Sequence, residues 1–395
     1  MISASTSGWR SWSLLTGLTG LVVALASTPV SCQTRTARLV DSITPYVGRR
    51  AQADSFSGTV LVAHRGKVIF VQSYGEAGKD FGAPNNKDTK FDLASMTKMF
   101  TGVAIMQLAQ AGRLSLDDSL GRYLTGFRPE VSSRVRIRHL LTHTSGLGEA
   151  YWRPEFHDAN HARFRRVADF VPLFVRDSLA FEPGSRWSYS NAGFVTLGAI
   201  IERVTGTSYY EYVRDHVFRP AGMRNTEYFE LDRVVPNRAI GYTRRNRYIL
   251  DQSGWSANTF VTTVKGSPAG GAYSTAPDLL AFATALVERR LLDSSWTAEA
   301  LTGKVPYDNP ERKKKYGYGI AEQVVNGARI LFHDGGSPGI STQLDIYPDL
   351  GYVVIVLSNY DPPAGTTVAN QIRQWVTTMS DPTRARSESG SDARY

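Results

Sequence analysis

Ser95 and Lys98 stand three residues apart at the head of an apolar stretch, Phe91-Asp92-Leu93-Ala94-Ser95-Met96-Thr97-Lys98-Met99-Phe100. The apolar run continues through Val103, Ile105, Met106 and Leu108 to Gly112, and its pattern predicts a helix over 97–111. Positions three apart share one helix face, which sets the lysine amine beside the serine hydroxyl. A serine is a poor nucleophile until a neighbour removes its proton, and a desolvated lysine of lowered pKa can do this. At a helix N-terminus the free N–H groups and the dipole also favour the negative charge that develops. Roughly one Ser-x-x-Lys is expected by chance in a chain of this length. A helix cap beside a solvated lysine is therefore the alternative, and support must come from other stretches.

Three other stretches carry suitable groups. Trp187-Ser188-Tyr189-Ser190-Asn191-Ala192-Gly193 precedes an expected helix. A tyrosine facing a serine–lysine pair can be held as phenolate and shuttle protons. Asn191 can hydrogen-bond a substrate amide or the lysine. Phe332-His333-Asp334-Gly335-Gly336 lies at the end of an expected strand, where glycines let backbone N–H groups approach an oxyanion and His333 could orient a substrate carboxylate or carbonyl. His139-Leu140-Leu141-Thr142-His143-Thr144-Ser145-Gly146 reads as a helix end with a Ser-Gly stop, with a role in positioning. Two decoys are set aside. Gly335-Gly336-Ser337-Pro338-Gly339 matches a Gly-x-Ser-x-Gly nucleophile elbow, but a strand rather than a helix is expected after it. His157 and His161 have a zinc-compatible spacing without a glutamate between them or an evident third ligand, and read as a surface loop.

The elements that must position these groups fall in three blocks. An N-terminal helix over 36–52 is followed by a hairpin, 58–63 and 67–72, turning at Arg65-Gly66. A mostly helical middle follows, with helices expected at 97–111, 137–141, 162–179, 191–204, 209–218 and from about 274 to 291. The C-terminal third returns to strands: 319–325 and 328–332 flank Asn326-Gly327, and 342–347 and 352–357 flank Pro348-Asp349-Leu350-Gly351. A closing helix spans about 366–379. Strands at both chain ends make one sheet only if the ends meet. The expected fold is α/β of the α+β type: an antiparallel sheet of five or more strands built from both chain ends, flanked by the N- and C-terminal helices, with a large, mostly helical insertion.

Taken in order, Ser95-Met96-Thr97-Lys98, Tyr189-Ser190-Asn191 and His333-Asp334-Gly335 resemble the three motifs of the serine β-lactamase and penicillin-binding-protein superfamily. With the His139–Leu147 run, the pattern is similar to its class C-like branch, which includes D,D-peptidases, D-aminopeptidases and family VIII esterases. The resemblance covers nearly all of residues 36–380. It implies Ser95 as the acylated nucleophile, Lys98 as the group that keeps Ser95 and Tyr189 deprotonated in turn, and Tyr189 as acid and base. It further implies Asn191 against the acyl side chain and Lys98, and an oxyanion hole from the N–H groups of Ser95 and Gly336, the glycine after His333-Asp334-Gly335. Efficient β-lactamases usually carry Lys-Thr-Gly where this chain has His333-Asp334-Gly335. The implied activity is therefore an acyl-enzyme hydrolase of amides or esters, peptidase-like or esterase-like, with weak β-lactamase activity at most. A non-catalytic, wall-sensing relative is the alternative.

Composition agrees with an exported enzyme. The chain has 395 residues, is 42% hydrophobic and 21% charged, and has a net charge of +9. Residues 1–32 contain Arg10, an apolar run from Leu14 to Ala26 and no acids, as in a secretory signal. Ala24-Leu25-Ala26 offers a cleavage site. Thr28-Pro29-Val30-Ser31-Cys32 resembles a lipoprotein box, with Pro29 where leucine is usual, and would anchor the chain through Cys32. The catalytic domain is expected over 33–380 and a polar, disordered tail over 381–395. The dense basic run Arg312-Lys313-Lys314-Lys315 lacks interleaved aromatics and reads as a solvated loop, so no nucleic-acid partner is expected. No metal or cofactor is expected. The expected partner is a small-molecule or peptide substrate, a peptidoglycan stem peptide included.

Overall fold

A computed structural model describes residues 30–244, 254–307 and 313–379. The expected leader run Leu14–Ala26 and the tail 381–395 lie outside the described residues, as does Arg312 of the basic run. Eight strands form one sheet: β1 Gly58–His64, β2 Lys67–Tyr74, β3 Val305–Pro306, β4 Lys315–Tyr316, β5 Ala321–Val325, β6 Ala328–Ser337, β7 Ile340–Tyr347 and β8 Tyr352–Ser358. Their spatial order is β2-β1-β8-β7-β6-β5-β4-β3, antiparallel throughout. The chain ends meet where β1 pairs with β8, Gly58 opposite Ser358 and His64 opposite Tyr352. Arg65-Gly66 and Asn326-Gly327 both take positive φ, which two-residue hairpins need to match strand twist.

Strand alternation sorts the apolar residues onto two faces. Val60, Val62, Val354 and Val356 pack with Leu39, Ile43 and Val47 of α1 (Val30–Gln52) and with Val368, Ile372 and Val376 of the C-terminal helix Ala364–Met379. Their neighbours Leu61, Ile355 and Leu357 join the larger core shared with the helical insertion. In that insertion α2 (Lys98–Gln110) is buried almost all round, as a helix central to a core must be. Helix α3 (Asn191–Thr205) starts where Ser190 Oγ accepts the Gly193 N–H at 3.0 Å, and it ends at Gly206 with φ +75°. Helix α4 (Ala276–Val287) begins at a Thr275 cap, and the closing helix, Ala364–Met379, is α5.

Two expectations are corrected. Residues 162–179 form no continuous helix; the short turns His161–Arg163, Val167–Phe170 and Val171–Leu173 replace it. The Asp169 carboxylate accepts the N–H groups of Arg165 and Arg166, starting a new turn, and Pro172 prevents its extension. Phe164, Val167, Phe170 and Phe174 keep a helix-like spacing and are each buried, although the turns that carry them are separate. The strand expected to stop at Phe332 runs on to Ser337, so His333, Gly335 and Gly336 lie inside β6.

Helix α5 is fastened to the sheet by charge. Arg373 holds Asp345 of β7 through two 2.8 Å bonds, and Gln343 and Tyr347 complete the carboxylate's partners. Both side chains are almost fully buried. Removing one member leaves an uncompensated buried charge, so Arg373→Ala is expected to lower unfolding free energy by about 3–5 kcal/mol in urea titrations. A loss below about 1 kcal/mol would show that water reaches the pair.

Candidate active site

Ser95 lies in a single tight turn, Ala94–Thr97, that runs directly into α2. Ala94 adopts φ +42°, a left-handed conformation that costs a residue with a Cβ roughly 1–2 kcal/mol. Such a conformation persists where its surroundings over-determine it, and here they do. Phe91–Asp92 pairs with Tyr273–Ser274, and the Leu93 N–H donates to Ala272 O at 2.8 Å. An Asp92 carboxylate oxygen accepts the Ala94 N–H at 2.8 Å, and Leu93 O accepts from Thr342 Oγ1 of β7. A Cβ added to Gly335 would lie 2.1 Å from Leu93 O, so only glycine lets β6 press against this turn.

Lys98 is fully buried one turn further on. Its Nζ lies 2.7 Å from Asn191 Oδ1, 2.6 Å from Ala269 O and 3.2 Å from Ser95 Oγ. The Asn191 amide is oriented by its other end, since Nδ2 donates to Glu149 Oε1 at 2.8 Å. Burial lowers the Lys98 pKa to about 7, against the opposing charges of Glu149 and Asp334. A neutral amine has two N–H donors and one lone pair. The two carbonyl oxygens require the donors, which leaves the lone pair for the Ser95 hydroxyl.

Tyr189 closes the group: its hydroxyl donates to Ser95 Oγ at 2.6 Å. Burial raises the Tyr189 pKa above that of a free phenol, so the resting ring is a phenol rather than the phenolate considered above. Tyr189 and Asn191 flank the Ser190 cap of α3, so the start of one helix delivers both side chains. His143 braces that entrance. Its Nδ1 accepts the Ser190 N–H at 3.1 Å, its carbonyl accepts the Ser188 N–H at 2.8 Å, and its ring lies 4.4 Å from that of Tyr189. Thus the His139–Gly146 segment has a local positioning contact. Glu149 and the Ala269 carbonyl were not singled out from sequence; the Ser267-Pro268-Ala269-Gly270-Gly271 turn composition was the available signal for the latter.

His333 is only 4% exposed, and both ring nitrogens are engaged: Nε2 with the Tyr316 hydroxyl at 2.8 Å and Nδ1 with Asp334 O at 2.6 Å. It does not line the cavity in front of Ser95, so the contact with a substrate carboxylate is not formed by this arrangement. Burial lowers its pKa, keeping the ring neutral. Ser337 ends β6 and the chain turns straight into β7, so a strand-to-helix elbow is absent from this stretch. His157 and His161 lie on separate short turns rather than one helix, and both line the cavity, correcting the surface-loop reading. Among the described residues no group of three or more histidine, cysteine or acidic side chains is placed to hold a metal ion.

The cavity has a volume of about 360 Å³. Ser95, Asn191 and Gly336 open onto it together with Asp92, Tyr151 and Phe156. The expected nucleophile, acyl-contacting amide and oxyanion glycine thus share one space. The arrangement can activate a hydroxyl beside a volume open to a substrate.

Comparison with known proteins agrees with this fold. The Beta-lactamase family profile matches residues 45–377. Over 315 residues the chain is 33% identical to Penicillin-binding protein 4* of Bacillus subtilis (strain 168), covering 77% of this chain and 68% of that protein. It is 27% identical over 317 residues to Protein flp of Staphylococcus aureus (strain MW2), covering 76% of this chain and 59% of that protein's length. The crystal structure of a penicillin binding protein from Bacillus halodurans superposes with a TM-score of 0.75 at 34% identity, covering 82% of this chain and 98% of that one. The chain belongs to the Beta-lactamase family.

Proposed function

We propose that this protein is an exported serine hydrolase that cleaves amide or ester bonds through an acyl-enzyme on Ser95. The observation that carries the reading is the convergence of Ser95, Lys98 and Tyr189 within hydrogen-bonding distance at the edge of one cavity. Family membership supports hydrolase chemistry, and the apolar leader run supports export.

In the proposed cycle the Lys98 lone pair takes the Ser95 proton as Oγ attacks the acyl carbon. The N–H groups of Ser95 and Gly336 receive the oxyanion. Tyr189 gives its phenolic proton to the leaving amine or alcohol as the C–N or C–O bond breaks. The phenolate then takes a proton from water, whose hydroxide attacks the acyl carbon, and the Lys98 ammonium returns its proton to Ser95 Oγ. Both protein groups end as they began. Keeping the hydroxyl, amine and phenol together speaks against a purely binding role, since a binder has no use for proton transfer.

Incubation with a fluorophosphonate or a fluorescent penicillin is expected to label the wild type and not Ser95→Ala. Labelling that persists in Ser95→Ala would reject the nucleophile. Tyr189→Phe is expected to lower turnover on the order of 10²–10⁴-fold with the fold intact by circular dichroism. Near-normal rates would reject the proton shuttle. Because the neutral Lys98 amine is the competent form, kcat/KM is expected to rise with pH to a plateau above a midpoint near 7, falling about tenfold per unit below it. A profile flat from pH 5 to 8 would contradict that role.

A further inference from the structure

The cavity wall supplied by residues 151–161 is aromatic. Tyr151, Trp152, Phe156, His157 and His161 all line it, with Phe156 stacked on His161 at 4.8 Å and 5.0 Å from the Tyr151 ring. Phe156 is buried, whereas Trp152 lines the cavity yet is 76% exposed, an indole left in water at the rim. This wall is tied to the amide that faces the acyl group. Glu149 Oε1 accepts both Asn191 Nδ2 and the Tyr151 N–H. The Tyr151 hydroxyl also bonds Ser267 Oγ, in the turn whose Ala269 carbonyl receives Lys98. The aromatic surface is therefore fixed relative to the acyl side of Ser95.

Two properties of the space limit what fits. A cavity of about 150 Å³ already encloses a benzene ring, so 360 Å³ is far more than an acetyl group fills. Among the described residues that line it there is one acid, Asp92, and no lysine or arginine. A carboxylate on the acyl group would lose water there with no lysine or arginine to replace it.

Resting on the proposed acyl-enzyme reading, we infer that the site selects acyl donors whose acyl group is aromatic and carries no negative charge, with Trp152 a specificity-determining residue. The ring of such a group packs against Phe156 and His161, and Trp152 folds over its outer face. Aromatic pairs of this kind add to the gain from area burial alone. The gain applies to the acyl half and leaves the leaving group unconstrained, so esters and amides of one acid share the preference.

The test compares p-nitrophenyl phenylacetate, p-nitrophenyl acetate and the p-nitrophenyl ester of 4-carboxyphenylacetic acid, hydrolysed by the full chain. The expected kcat/KM for the phenylacetyl ester exceeds that for the acetyl ester on the order of 10- to 100-fold, as burial of a ring implies. The carboxylate-bearing ester is expected to be at least about tenfold slower than its uncharged counterpart. Trp152→Ala should narrow the phenylacetyl-to-acetyl ratio by roughly three- to tenfold, and Trp152→Phe should restore most of it. A wild-type ratio near one, or equal rates with and without the carboxylate, overturns the inference when turnover still depends on Ser95. A ratio unmoved by Trp152→Ala overturns the role given to Trp152. Turnover that survives in Ser95→Ala, or no turnover of any of the three esters, instead overturns the proposed function on which the inference rests.

Discussion

The burial of one amine governs this site. Lys98 has no exposed surface, and the molecule compensates it with two carbonyl oxygens and one hydroxyl rather than with a carboxylate in direct contact. A closely paired carboxylate would hold the lysine as an ammonium and leave no lone pair to accept a proton. Glu149 stays one side chain away, bonded to Asn191, so its charge is felt but does not dominate. The same two carbonyls that satisfy the amine direct its remaining valence toward Ser95. Desolvation and geometry thus act on the Ser95 hydroxyl together.

Such a site needs a frame that holds segments far apart in sequence to within fractions of an ångström. Pairing of β1 with β8 closes the two chain ends into one sheet, and the mostly helical segment between β2 and β3 becomes an insertion whose core packs against one face. The left-handed turn at Ala94 is gripped from three directions, by the 272–274 strand, by Thr342 and by the glycine-lined surface of β6. The start of α3 brings Tyr189 and Asn191 as a unit, with His143 behind them. On the far side of the sheet, the Arg373–Asp345 pair ties α5 to the strand that carries Thr342.

Much of this was legible in the sequence because it depends on local rules. Asn326-Gly327 and Arg65-Gly66 mark their hairpins through the positive φ those turns require, a long apolar run marks α2, and apolar periodicity marks α3. Ser95, Lys98, Tyr189 and Asn191 carry their chemistry in their residue types and their places at helix starts. What was not legible depends on contacts between distant segments. The Ala269 carbonyl has no side chain to betray it, and Glu149 matters only because Asn191 reaches it. His333 has the chemistry of a ligand-binding residue, but Tyr316 and its neighbour's carbonyl hold it inside the wall. Between 162 and 179 the apolar residues mimic a helix, whereas a carboxylate cap and a proline break the chain into short turns. The spacing of His157 and His161 points to a metal or a surface loop, and only folding turns that stretch into a cavity wall.

The protonation of Lys98 can be observed directly. In protein labelled with ¹³C and ¹⁵N at lysine, with the Lys98 resonance assigned by its loss in Lys98→Arg, the Cε and Nζ shifts should titrate with a midpoint near 7. A midpoint at the ordinary lysine value, about 10.4, would mean that the amine is an ammonium throughout the working range and would contradict its role as the base that activates Ser95.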